Sequence, residues 1–276
     1  MHQEVLWGAD AAQRYDTPGT GMFAPETLRP IVDRLARLAR LARLARLARL
    51  ARLARLARLA EGGAALEFAV GTGRVAVPLA GRGVPVTGIE RSRPMVERLR
   101  TKADEATIPV VIGDMATTAA PGEYGPVHLV YNTIADLLTQ AEQVECFRNA
   151  ARHLVPGGRF VVELWVPELR RLPPGQAATV MRSESGYILL DTYDVLHQRV
   201  VSHHFRFDGT RQARLDRTPH RYIWPAELDL MARLAGFDLE TGHADRTGTP
   251  FTAESRSHVS VHRTPLAPAH PAEPGR

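Results

Sequence analysis

Three kinds of residue between positions 64 and 90 are spaced to hold a nucleoside-containing ligand. An apolar run, Ala64-Ala65-Leu66-Glu67-Phe68-Ala69-Val70, leads into Gly71-Thr72-Gly73. The two glycines lack Cβ, so the backbone can turn sharply and come close to a bound molecule. A second apolar run ends in Glu90, roughly twenty residues beyond the glycines, where a carboxylate receives ribose hydroxyls in nucleotide-binding βαβ units. Gly71-Thr72-Gly73-Arg74-Val75-Ala76 also fits the dinucleotide pattern G-x-G-x-x-G/A, so a nicotinamide-dependent oxidoreductase is one reading. Glu67 argues against it. A carboxylate just before the turn would repel a diphosphate, whereas it suits a positive group such as an amino-acid ammonium. Downstream, Gly113-Asp114-Met115 closes a third run that begins at Ile108: Asp114 is placed to accept from an exocyclic amine and Met115 to pack on a base. A fourth run, Val127 to Tyr131, ends in Asn132.

These residues need a scaffold that delivers them to one edge. Strand and helix patterns alternate over residues 64–166, which implies a parallel sheet with crossover helices, one of them over Arg74–Arg82 and another over Gln140–Leu154 with Val144, Phe147, Ala151 and Leu154 on one side. Ser92 is positioned to cap the helix after Glu90. Residues 176–224 change character. Tyr187–Leu190, Arg199–Val201 and His203–Phe207 read as strands joined by turns at Ser185-Gly186 and Asp208-Gly209, hence an antiparallel insertion. Trp224-Pro225 opens a helix that Gly236 closes. Phe237–Thr241 and His258–His262 read as two final strands returning to the sheet.

With these motifs in order, the chain resembles the class I S-adenosylmethionine-dependent methyltransferases. The resemblance rests on Leu66–Arg74, on Gly88-Ile89-Glu90-Arg91-Ser92, on Gly113-Asp114-Met115 and on Leu154–Glu163, and it spans residues 10–263. It implies an α/β fold: a doubly wound, mostly parallel seven-stranded sheet with an antiparallel last strand, an antiparallel β insertion over the substrate, and a long N-terminal helix. It also implies a soluble enzyme that passes a methyl group from S-adenosylmethionine to an O or N of a small-molecule acceptor. The implied cofactor residues are Tyr15, Glu67, Ala69, Gly71, Gly73, Glu90, Arg91, Met95, Asp114, Met115 and Asn132, with Tyr15 closing over the cofactor. Ala69 departs from the family, which usually has glycine there, and weakens the cofactor loop if that backbone needs a positive φ. Asn132-Thr133-Ile134-Ala135 lacks the Asn/Asp-Pro-Pro-Tyr/Phe pattern of enzymes that methylate base amines, which shifts weight to small molecules.

Methyl transfer is an in-line displacement in which the cofactor carries the reactivity. A base is needed only if the acceptor must lose a proton. Glu163, near the end of the fifth strand, and His204, in the insertion, are the candidates. His203 is adjacent to His204, and neighbouring strand residues face opposite ways, so at most one of the two points inward. Tyr222 and Trp224 are candidates for a substrate wall. His197, His203 and His204 do not have metal-ligand spacing, and no metal is expected.

Arg34 to Ala60 is nine consecutive Arg-Leu-Ala triplets, and these account for the chain's charge. The 276 residues carry 35 Lys plus Arg against 30 Asp plus Glu, a net of +5; without the nine repeat arginines the balance is 26 against 30, or −4. All three residue types favour helix, giving a rod about 40 Å long. A period of three turns through about 300°, so leucines and arginines both drift around the rod by about 60° per triplet. No apolar face can persist beyond a few turns. Arginines all round a rod would meet phosphates, but the segment has no aromatics for base stacking, so a nucleic-acid partner is not expected. Two further readings stay open: a nucleic-acid methyltransferase that uses the repeat, and a cofactor-binding relative without activity.

The single cysteine, Cys146, excludes a disulfide framework and points to a reducing cytoplasm. No run of eighteen apolar residues exists to span a bilayer. The expected organisation is an N-terminal lead-in and repeat helix over 1–63, a methyltransferase domain over 64–263 with its insertion at 176–224, and an extended or disordered proline-bearing tail over 264–276.

Overall fold

A computed structural model describes residues 7–52, 63–207, 209 and 213–266. Seven strands form the central sheet: β1 (Ala65–Phe68), β2 (Val86–Glu90), β3 (Val110–Ile112), β4 (Tyr124–Leu129), β5 (Leu154–Trp165), β10 (Asp238–His243) and β11 (Ser257–Arg263). Their order is β10-β11-β5-β4-β1-β2-β3. All pairings among β1 to β5 are parallel, and β11 is antiparallel to both β5 and β10. This is the doubly wound sheet that the sequence implied. Every residue of β1 and β4 is buried, as expected of central parallel strands covered on both faces.

The two faces carry separate cores. Leu66, Phe68, Phe147 and Phe160 pack with α5 (Gln140–His153) and α6 (Pro225–Leu234). Ile31, Leu35, Leu79 and Leu99 pack on the other face with α2 (Pro25–Arg52), α3 (Ala76–Ala80) and α4 (Arg93–Arg100). Strong local signals mark helix starts. Ser92 caps α4 by accepting from Met95 N at 3.3 Å. Thr139 and Glu142 form a reciprocal capping box on α5.

Several boundaries moved. The crossover helix after the glycines is shorter than expected, five residues rather than Arg74–Arg82, because Gly73 and the residues that follow form turns first. Residues 1–24 are not wholly irregular, since α1 (Ala9–Tyr15) and a 3-10 turn (Gly21–Phe23) lie within them. The insertion is a four-stranded meander, β6 (Ala178–Glu184), β7 (Tyr187–Asp194), β8 (Arg199–Phe207) and β9 (Ala213–Arg221). The sequence patterns split β8 in two and gave no sign of β6 or β9. The expected end of the repeat helix, turn residue Asp208 and the tail beyond Leu266 lie outside the described residues.

The drift of the repeat is visible in α2. Leu35, Leu38 and Leu41 are 0%, 8% and 45% exposed, while Ala36, Ala39 and Ala42 stay buried at 1%, 1% and 7%. The leucine row rotates off the sheet within three triplets and the alanine row replaces it, as a step of about 60° per triplet requires.

Candidate active site

The candidate pocket lies at the carboxyl ends of β1, β2 and β3, where open α/β sheets bind ligands. Ala69, Ile89, Glu90, Arg91, Gly113, Asp114, Met115, Thr133 and Asp136 line it. The turn after β1 is built on left-handed backbone: Ala69, Gly71 and Gly73 have φ of 50°, 57° and 79°. Gly73 is also a packing requirement, since a Cβ there would lie 2.2 Å from Leu99 Cδ1.

Glu90 is buried, and burial pushes its carboxyl above the ordinary range, opposed by backbone hydrogen bonds. Gly71 N donates to Oε2 at 2.8 Å and Ser92 N to Oε1 at 2.7 Å, fixing the acid against the turn with lone pairs left over. At the end of β3, Asp114 Oδ1 accepts from Ala116 N at 2.7 Å, and Arg91 Nη1 lies 3.3 Å from Asp114 Oδ2. Met115 is 7% exposed on the pocket wall.

Glu67 is 5% exposed on β1, directly across from His128 on β4. Its Oε2 lies 3.4 Å from His128 Nε2 without hydrogen-bond geometry, and no donor reaches it. A buried carboxylate oxygen left without a donor is costly and marks a place for an incoming cation.

The lead-in closes over this edge. Tyr15 stacks edge-on with Trp7 and Phe23. Burial raises its phenol above the ordinary value, with Arg74 opposing and the charges of Asp136, Glu90 and Glu67 adding to the rise. Asp16 accepts from Thr72 Oγ1 at 2.6 Å and meets Lys102 Nζ at 2.6 Å, while Lys102 also donates to Thr72 O at 2.9 Å. The glycine turn is thereby latched to the N-terminal segment. Tyr131 lies between two guanidiniums, with Arg74 and Arg246 centred 3.6 and 3.9 Å from its ring.

Four expected residues have other duties. Met95 is buried in α4 and does not line the pocket. Asn132 Oδ1 accepts from Trp165 N at 2.7 Å, tying β4 to β5. Glu163 is occupied: Arg246 Nη2 lies 2.7 Å from Oε1, and Tyr131 N donates to Oε2 at 3.2 Å. Both of its oxygens are thus engaged by groups of the protein itself. His204 shares a face of the meander with Asp191 and Ser202, and its Nδ1 is bonded to Tyr187 Oη at 2.7 Å. Burial and Arg206 hold it below its ordinary value. His203 points to the opposite face and meets Thr192 at 3.0 Å.

His220, on β9, contacts a residue of the pocket wall. Its Nδ1 lies 3.0 Å from Oδ1 of Asp136, which itself lines the pocket. His220 was not legible in the sequence, because nothing local brings β9 over residue 136. Asp136 was legible as an acid seven residues after the end of β4. His128 was legible as a polar residue inside an apolar run.

The residues present fit S-adenosylmethionine. Glu90 suits ribose hydroxyls, Asp114 and Met115 suit an adenine edge and face, and Glu67 Oε2 suits an ammonium. A family model for a methyltransferase domain matches residues 65–158. The CcbJ methyltransferase from Streptomyces caelestis is similar along its whole structure: 34% identity, 96% of this chain and 100% of that one covered, TM-score 0.76. Among curated proteins, a cypemycin N-terminal methyltransferase from Streptomyces sp is 27% identical over 204 residues, covering 73% of this chain and 83% of its own. A glycopeptide N-methyltransferase, MtfA, in complex with S-adenosyl-L-homocysteine shares the fold at 21% identity and TM-score 0.54, covering 73% of this chain and 81% of its own. No described helix is long and apolar enough to cross a membrane. The nicotinamide reading is thereby set aside, and the chain belongs to the class I S-adenosylmethionine-dependent methyltransferases.

Proposed function

We propose that this methyltransferase modifies a nitrogen or oxygen of a small molecule held between the cofactor pocket and the inward face of β7–β9, with His220 as proton acceptor and Asp136 as the group that orients it. The contact of 3.0 Å between His220 Nδ1 and the pocket-lining Asp136 carries the proposal. S-adenosylmethionine supplies an electrophilic methyl group. The chain's own residues do the rest. Asp136 accepts from Nδ1–H of His220, which leaves the Nε2 lone pair to take the acceptor's proton. Burial of Asp191, beside Ser202 at 2.7 Å, raises its carboxyl above the ordinary range and adds a polar anchor on the same face. The names of two relatives, both N-methyltransferases, support nitrogen over oxygen.

The pocket encloses only about 40 Å³, whereas ligand sites hold roughly 300 Å³ or more. In this reading, the segment carrying Tyr15 swings aside to admit cofactor and then recloses.

The test is transfer of isotope-labelled methyl from S-adenosylmethionine to pools of small amines and alcohols, with RNA, DNA and protein pools beside them. Label in a small amine or alcohol is expected, with kcat falling about 100-fold or more in His220→Gln while S-adenosylhomocysteine affinity is retained. Label confined to nucleic acid or protein, or full kcat in His220→Gln, would overturn the proposal.

A further inference from the structure

Arg34 and Arg37, the first two arginines of the repeat, do not simply face water. With Glu240, Thr241 and His243 of β10 and Arg246 beyond it, they line a cleft of about 240 Å³ between α2 and the edge of the sheet. Its charge is unbalanced. The carboxylate in its wall, Glu240, is already held by Arg159, with contacts of 2.6 and 2.8 Å, and by Arg263 at 3.8 Å. Arg246 is committed to Glu163 and to Thr27 O, yet its buried Nε has no acceptor. Among the described residues neither Arg34 nor Arg37 has a carboxylate within ion-pair distance.

Arg34 is the most telling of these. It is 9% exposed, with its Nη2 donating to Thr241 Oγ1 at 3.0 Å. A guanidinium has five donors, and Thr241 Oγ1 is the side-chain acceptor that Arg34 meets among the described residues, which leaves donors for a ligand. Burial first, and then repulsion from Arg37, pull Arg34 below its ordinary value. Two cations three residues apart on a helix repel. Such an arrangement stays folded at a cost that one multivalent anion would remove, because planar guanidinium forks bind oxyanions bidentately. The cleft is several times the roughly 30 Å³ that a water occupies, large enough for a phosphate group and a small substituent.

We infer that the cleft between α2 and the β10–β11 edge is a binding site for a small phosphate-type dianion, with Arg34 and Arg37 as its cationic walls and His243 and Thr241 as further hydrogen-bonding groups. It is separate from the cofactor pocket. Free phosphate, a phosphorylated metabolite and a polynucleotide backbone share this chemistry. The limited volume of the cleft favours the small ligands.

Calorimetric titration of the full chain with inorganic phosphate, at constant ionic strength against a chloride control, tests the site. Arg37 is exposed, so Arg37→Gln removes a cation from the rim without touching the core. Arg40, the next repeat arginine, lies outside the cleft, and Arg40→Gln is the location control. Saturable phosphate binding is expected, weakened about tenfold in Arg37→Gln and in His243→Gln and unchanged in Arg40→Gln. No saturation above the chloride control would overturn the inference. So would equal weakening by Arg37→Gln and Arg40→Gln, which would mean that the rod attracts anions without a site. A short oligonucleotide that displaces phosphate and binds Arg37→Gln as well as the parent chain would overturn it too, assigning the repeat to nucleic acid.

Discussion

Replacing Glu67 by glutamine removes one charge from beside the glycine turn and keeps the side chain's shape. Glu67 is 5% exposed, its Oε2 has no donor, and the equally unpartnered Nε2 of His128 lies 3.4 Å away. If this oxygen receives the cofactor's ammonium, the bond it makes is charge-assisted, about twice as strong as a neutral one and on the order of 1.5–3 kcal/mol. The amide retains part of it, so the substitution costs about 1.5 kcal/mol of binding, roughly tenfold in Kd. The unliganded protein should not lose stability, because a buried carboxylate without a donor is a liability that the amide relieves. Calorimetry with two ligands separates the possibilities. S-adenosylhomocysteine carries the amino-acid group; 5′-methylthioadenosine does not. Glu67→Gln is expected to weaken the first about tenfold and leave the second unchanged, with thermal unfolding of the free protein unaltered or raised. Equal weakening of both ligands, or of neither, would refute the assignment. A marked drop in the free protein's Tm would show that the Glu67–His128 contact is structural.

Ala69 stands at φ 50° where glycine carries no penalty. Ala69→Gly is expected to stabilise by about 0.5 kcal/mol after allowing for glycine's freer unfolded state, while Ala69→Val, β-branched at a positive φ, should destabilise by about 2 kcal/mol; urea unfolding of the three proteins checks both. His258 is 2% exposed and held by burial at about 4, well below its ordinary 6.5. Its folded form is neutral, so the stability linked to it is whole above pH 6.5 and is lost as the pH falls towards 4. That loss amounts to about 2 kcal/mol between pH 7 and 5. His258→Leu should flatten the acid limb of the stability curve by that amount, and an unchanged limb would refute the assignment.

The parallel part of the fold was legible because its signals are local. Gly71 and Gly73 answer a backbone requirement set within four residues of Ala69. Ser92 and the Thr139–Glu142 pair cap helices from adjacent positions. The drift of the repeat follows from its period alone, and the exposures of Leu35, Leu38 and Leu41 reproduce it. The short crossover helix and the helix in the lead-in were not legible, because their formation depends on docking to the glycine turn through contacts such as Asp16 with Thr72.

The amino-acid sequence by itself therefore determined the βαβ frame and the ligand class, and it singled out Glu67, Glu90 and Asp114 as candidates, since each is specified by residues close in the chain. Tertiary structure decided which candidate groups are engaged and which stand beside the pocket. Glu163 stands at the expected strand end, but Arg246, 83 residues away, occupies it. His220 became the candidate base because the meander carries β9 across 84 residues to Asp136. Contacts of that separation leave no periodicity or spacing in the sequence, and only the packed sheet brings their partners together.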